Sequence, residues 1–467
     1  MKEKSIHTYI SMGMMVAFLW VQHVYADAGI SERKSLLKRE EVNMTEYESG
    51  SLTSDMQAKT LEEYLQKGLH RNPGLKAVFY KWKAAFQEVS KAFSLSDPEF
   101  TFTEYIDEVE TRVGPQKQAY MLKQKFPLSD KLWIRKNKAF RVSEAAYYDF
   151  EKKRLDLIYK ISESYYEYAY LNKAILLTEE NMRLLGNFES VAQAKYASGL
   201  QKNQDLLKAQ VELGRLENDL QSLNDFRNPL VSRLNALLNH PADYALPWPD
   251  ESLEDLTLEE EYADAVALID SLKENNPELL ALSEEVKKSE EDLKLSQREY
   301  FPDLTVGFTH IDTDSALSPS TVDSGKDPQL LSFSVNVPIW FDRLAAGVRE
   351  ARARLKVAEE KRANAENELV SQLAFVHYKL RDSLRQSRLY KDALISKAGQ
   401  TLNATQSGYE AGNVDFLSLI DAQRVLLNFQ LAFYRHNANF YQRLSELKSL
   451  LGEINIKEDE HLNTAEK

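Results

Sequence analysis

The sequence predicts a mainly α-helical protein with a small β part, assembled from two copies of one unit. Three observations carry that reading: where the prolines fall, a glycine-centred turn that occurs twice, and four short stretches of alternating apolar and polar residues. The 13 prolines leave two long gaps, between Pro127 and Pro229 and after Pro338. Proline inside a helix removes a hydrogen bond and clashes with the preceding turn, so long helices belong in those gaps. Both gaps are rich in Ala, Glu, Lys, Leu and Arg, the strong helix formers. YASGLQKNQDLLKAQ at Tyr196 and YEAGNVDFLSLIDAQ at Tyr409 share Tyr, Gly, Leu, Ala and Gln at the same five places.

The elements follow in chain order. Lys2, Lys4 and His7 precede the apolar run YISMGMMVAFLWV and then VQHVYADA, the order of charged, apolar and small residues in a secretory signal. Residues 1–28 are expected to leave the mature protein, cleaved after Ala26 or Ala28. The run is short of the ~20 residues that a bilayer-spanning helix needs. Residues 29–57 are polar and without period.

The first repeat is expected over 58–239. It holds an opening helix at about 58–93, strands at 99–107 and 118–126, a long helix at 130–196 and a returning helix at 201–238. A linker, 240–260, leads to the second repeat at 261–452, with strands at 303–311 and 330–338, a long helix at 342–408 and a returning helix at 414–451. An acidic tail, 453–467, closes the chain. At 1.5 Å per residue the long arms reach about 100 Å and the returning arms nearly 60 Å. The opening helix is expected to make up the difference by stacking end to end on the returning arm.

Periodicity supports each piece. Leu206, Leu213 and Leu220 fall seven apart, with Ala209, Leu216 and Leu223 in a second row, which is a heptad seam. Leu419, Leu426 and Phe433, with Ala422 and Phe429, repeat it until His436 breaks the second row. Gly199 and Gly412 suit the left-handed end of a helix, and Asn203 and Asp415 suit the cap of the next. In LLSFSVNVP from Leu330, Leu331, Phe333, Val335 and Val337 alternate with Ser332, Ser334 and Asn336. LTVGFTHI from Leu304, FTFTEYI from Phe100 and QAYMLKQKF from Gln118 do so less strictly. The pattern fits a membrane barrel with a wet interior and equally a water-facing hairpin.

The duplication is ordered. RNPGL at Arg71 pairs with NNPEL at Asn275, SDPEFTF at Ser96 with YFPDLTV at Tyr300, and KFPLSDKLW at Lys125 with NVPIWFDRL at Asn336. Matched order with small drifts in spacing is what duplication followed by insertion leaves behind.

Composition narrows the class. A net charge of -13 over 467 residues disfavours a nucleic-acid partner, since phosphate binding needs a basic face. There is no cysteine, hence no disulfide, thiolate site or acylated anchor. No later apolar run reaches 18 residues, so any membrane contact falls to strands. Four strands cannot close a membrane barrel, whose smallest form has eight, and an open sheet in lipid leaves unsatisfied edges. Several chains must share one barrel, and three would supply twelve strands.

With these motifs in place the chain resembles the TolC family of outer-membrane efflux channels over nearly all of its mature length. The resemblance rests on the NP-containing first helix, the FP and VP strand exits, and the Y-x-x-G turns followed by D-L-L-x-A-Q-like runs. It implies a homotrimer with a twelve-stranded barrel in outer-membrane lipid and a coiled-coil tunnel through the periplasm. It also implies a periplasmic adaptor protein, an inner-membrane pump of RND, ABC or similar type, and passive export of small molecules or metal ions. The two turns then become adaptor-contacting tips: Tyr196, Gly199 and Leu200, and Tyr409, Gly412 and Asn413. In relatives an Asp on the first returning helix ties to the Tyr and a nearby Arg of the second turn. Asp205 and Tyr409 match, but the Arg position is Val414, which leaves a Tyr409–Asp205 hydrogen bond without the arginine. The usual inward acidic rings map to Ser418 and Asp421, so one carboxylate ring is left, which would favour cations. Read without the resemblance, Asp421 is an exposed helical aspartate. The linker and residues 29–57 would form a belt around mid-tunnel.

The sequence has no Gly-rich phosphate loop, HExxH, nucleophile elbow or clustered histidines, so neither an enzyme, a cofactor nor a metal site is expected. A soluble exported coiled-coil adaptor or scaffold is the remaining alternative. Only Met44, Met56, Met121 and Met182 follow the signal, so no methionine ladder points to copper.

Overall fold

A computed structural model describes residues 28–46, 58–198, 203–254, 256–318 and 320–453. The predicted signal up to Asp27, the tip residues Gly199 and Leu200, and the tail beyond Glu453 lie outside the described residues. The chain divides into two compact units, Met1–Met56 and Gln57–Lys467. In the first, α1 (Ala28–Glu46) is a regular helix where the sequence shows no period. Its polar composition leaves no apolar stripe for a pattern to reveal.

The second unit begins with α2 (Leu61–Arg71) and α3 (Pro73–Ala92), where the sequence predicts one helix. The break is the NP pair. Asn72 ends α2 and caps α3, accepting from the Leu75 N–H at 3.1 Å, and Pro73 occupies the first turn, where its missing N–H costs nothing. The same side chain donates to the Leu237 carbonyl at 3.0 Å. The second repeat copies this joint. Asn276 separates α6 (Ala265–Asn275) from α7 (Pro277–Arg298) and donates to the Leu450 carbonyl at 2.8 Å. One asparagine per repeat therefore ties an opening helix pair to the end of its returning arm.

The long arm α4 (Lys131–Ala197) is unbroken over 67 residues. It turns back into α5 (Asn203–Leu238), which continues through Pro229. Buried Leu230, Leu234 and Leu238 follow that proline, so packing offsets the missing backbone bond. The described linker residues run without regular structure to a short 3-10 turn, Glu260–Tyr262. Tyr168 donates to the Leu246 carbonyl at 3.0 Å and Arg227 lies 4.3 Å from the centre of the Trp248 ring.

The second arm differs from the uninterrupted helix that the sequence predicts. It consists of α8 (Phe341–Leu389), a π-turn (Tyr390–Leu394) and α9 (Ile395–Glu410), before α10 (Phe416–Leu451) returns. Tyr390 of the π-turn stacks on His436, with ring centres 5.5 Å apart, and meets Phe429 edge-on. His436 is the residue that interrupts the heptad row, and the wide turn lies opposite it. A seam that has lost its apolar knob is filled by an aromatic ring from the partner helix.

The four strands form one antiparallel sheet in the order β1 (Glu99–Thr111), β2 (Gly114–Pro127), β3 (Asp303–Thr313), β4 (Gln329–Val335). The first hairpin extends beyond its predicted ends, with a bulge between Glu104 and Val109. By contrast β4 stops at Val335, short of the predicted 338. Register places Phe102 opposite Tyr120, Leu122 opposite Phe308, Phe308 opposite Leu331 and Val306 opposite Phe333. Side chains alternate across a strand, so these apolar residues share one face. Thr101, Thr103, Lys123, Thr305, Ser332 and Ser334 share the other. Phe100, Phe102, Leu122, Phe308, Leu331, Phe333 and Val335 are all exposed, as is Ile106 at the bulge, 95% so. The base of the sheet is tied to the helices by Lys131 of α4, which bonds Asp303 at 2.9 Å and the Phe301 carbonyl at 2.8 Å.

Candidate functional site

Away from the sheet, the arms end in the two turns, and the second is fully described. Gly412 sits at φ +79, a conformation that costs glycine little and residues with a side chain more. Asn413 N–H donates to the Gly408 carbonyl at 2.8 Å, and Val414 N–H donates to the same oxygen at 3.2 Å. Gly408 itself is required by Val414: a Cβ there would lie 2.5 Å from the valine methyl. Val414 is therefore a packing residue of the turn. Asp415 caps α10 by accepting from the Ser418 N–H at 2.8 Å. Its hydrogen bonds from Ser418 hold its carboxyl below the ordinary range. Ser418 is exposed and engaged in this cap, and Asp421 is exposed one turn further on.

The paired tyrosines have opposite surroundings. Tyr196, at the end of α4, is 46% exposed, whereas Tyr409 is 2% exposed against Phe416. Lys195 places its ammonium 4.2 Å from the centre of the Tyr409 ring and donates to the Tyr409 carbonyl at 2.5 Å. Lys195 rather than Asp205 thus supplies the charged contact to that ring. Asp205 lies half-buried in the first turn of α5, where a carboxylate is favoured by the helix dipole.

The strongest charged contact between the returning helices was not legible in the sequence. Glu212 of α5 accepts from Arg424 of α10 at 2.7 and 3.3 Å, and from Arg215 at 2.7 and 3.0 Å. Burial pushes the Glu212 carboxyl up, but the two arginines outweigh it and hold the acid below its usual range. Arg424 is raised chiefly by its bond to Glu212, with a smaller contribution from Asp421. The available signal was weak: opposite charges beside the seam, one position out of repeat equivalence.

Apolar packing closes this end. Ala209 and Leu216 are buried in α5, while Leu213 is only partly covered. In α10 it is Leu419, Ala422 and Phe433 that are buried. Leu207 and Val211 of α5, and Phe375 and Tyr378 of α8, stay exposed.

An exposed apolar sheet face, long paired helices and a capped second turn at their far end are the features that the comparisons bear on. Residues 268–453 match the family described as "Outer membrane efflux protein". The chain is 22% identical over 406 residues to the cobalt-zinc-cadmium resistance protein CzcC of Cupriavidus metallidurans, covering 84% of this chain and 90% of that protein. It is 20% identical over 426 residues to the outer membrane protein TolC of Vibrio cholerae, covering 87% and 93%. Its fold is similar to the crystal structure of VceC from Vibrio cholerae, with a TM-score of 0.70 at 17% identity, covering 84% of this chain and 96% of that one. Over most of its length the chain is similar to TolC-like outer-membrane proteins, and its second half matches the efflux-protein family. The matched family and these relatives are described as outer-membrane or metal-resistance proteins, not as soluble scaffolds.

Proposed function

We propose that three copies of this chain close a twelve-stranded barrel in the outer membrane and a helical tunnel below it. The observation that carries this reading is the sheet: four strands, one exposed apolar face, one polar face, and outer edges at β1 and β4. Edges with unpaired backbone groups are not tolerated in lipid. Pairing β4 of one copy with β1 of the next satisfies them, with the apolar face towards lipid and the threonines and serines towards the lumen. The exposed apolar residues of α5 and α8 then have neighbouring copies to pack against.

The tips around Tyr196, Gly199, Leu200, Tyr409, Gly412 and Asn413 meet a periplasmic adaptor joined to an inner-membrane pump. Asp205, Tyr409, Val414, Ser418 and Asp421 line or support the aperture, and a ring of three Asp421 carboxylates favours cations. Transport through the duct is passive, and the cargo is a small molecule or metal ion chosen by the pump. The absence of cysteine makes the test clean. Single cysteines placed along β1 and β4 should crosslink neighbouring copies into species ending at three chains. A monomer that stays in water without detergent would overturn the reading.

A further inference from the structure

At the far end of the sheet a third side chain able to ligate a metal joins two that stand on one strand. His310 and Asp312 lie two residues apart on β3 and so share a face. Asp327 arrives from the 314–328 connection, because β3 pairs with β4 so that His310 faces Gln329. The Ile311 N–H donates to the Pro328 carbonyl at 3.1 Å, and the Thr313 N–H to Asp327 Oδ1 at 2.8 Å. These bonds fix Asp327 beside the strand. His310 Nε2 is 3.1 Å from Asp312 Oδ1, and the imidazole is held in place by stacking on Tyr120. One ligand atom from each of the three residues lies within 4.8 Å of the others. Backbone pairing, not side-chain attraction, brings the carboxylates together.

An imidazole with two carboxylates matches the ligand preferences of borderline divalent cations of the zinc class, at bond lengths of about 2.0–2.2 Å. Magnesium and calcium prefer sets made wholly of oxygen. Closing ligand atoms from within 4.8 Å to the ~3.4 Å edge of a tetrahedral site takes side-chain rotation only. We infer that His310, Asp312 and Asp327 form a binding site for a zinc-class divalent cation, which pins the 314–328 connection to the end of β3. Binding through Nε2 replaces the His310–Asp312 hydrogen bond: the neutral imidazole carries its one proton on Nδ1, the Nε2 lone pair faces the metal, and Asp327 keeps its second oxygen for the metal. A fourth position is left for water. The site lies at the end of β3 opposite Asp303 and the helices. Its position outside the cell rests on the barrel reading; cation binding does not.

The test uses the purified full chain in detergent, stripped with chelator and titrated calorimetrically with zinc chloride alone, then with magnesium chloride. The expected result is one zinc per chain, at least about tenfold tighter than magnesium. His310→Gln and Asp327→Asn should each weaken zinc by about tenfold or more, in line with the loss of a ligand, with unchanged helical circular dichroism and assembly. Less than half a zinc per chain, equal affinity for magnesium, or zinc binding untouched by both variants would each overturn the site. Assembly is read separately, so a failed titration on intact trimers leaves the duct reading standing. A failed assembly leaves the titration interpretable.

Discussion

Replacing Glu212 by Gln should loosen the two returning helices from each other at the tip. A pair of unit charges about 4 Å apart interacts by about 4 kcal/mol at an effective dielectric of ~20. The Arg424 and Arg215 side chains are 40% and 46% exposed, so screening and side-chain ordering reduce this to roughly 1–2 kcal/mol. That corresponds to about a 5–30-fold change in a local opening equilibrium. Amide hydrogen exchange between Ala209 and Leu216 reports such opening. Glu212→Gln and Arg424→Gln should each speed exchange by that factor, and the double variant should add little to either. The pH dependence follows from the depressed carboxyl. Its contribution is complete above the unfolded-state value of about 4.3 and is lost as pH falls through the lower folded value. Protection should therefore hold from neutrality to about pH 5 and fall in stronger acid, but not in Glu212→Gln. Additive effects of the two substitutions, or unchanged exchange, would show that the pair contributes nothing to the tip.

Three further outcomes are expected. Phe333→Arg on the apolar face should impair assembly, costing about 2–4 kcal/mol near mid-membrane, while Ser334→Arg on the opposite face should assemble normally; heat-modifiable gel mobility separates the two. Asn276→Ala should cost about 1 kcal/mol for the lost cap and more for the tie to Leu450, and exceed Asn72→Ala because Asn276 is 4% exposed; thermal melting of the helical signal checks the order. Gly452→Ala should destabilise by over 1 kcal/mol, since φ is +78 and a Cβ would stand 2.5 Å from the Asn275 carbonyl; the same melt reads it.

The structure also explains why the tips are unlike despite their shared sequence. Tyr196 and Tyr409 hold equivalent places in the repeated sequence, yet one is exposed and the other buried beneath Lys195. The setting of a side chain depends on which neighbour the fold brings to it.

The same division runs through the whole protein. Proline spacing, the heptads and the strand alternation determined the helices, the hairpins and the duplication, because each is a local rule read along one stretch of chain. The seam residues Ala209, Leu216 and Leu419 and the sheet face of Phe308, Leu331 and Phe333 were legible for that reason. The NP joints were visible as motifs, but their bonds to Leu237 and Leu450 were not. Only the tertiary structure decided the π-turn opposite His436, the Glu212–Arg424 contact and the meeting of His310, Asp312 and Asp327. Each brings in a residue at least 15 positions from the others, and no local period records which of many distant partners a side chain will meet.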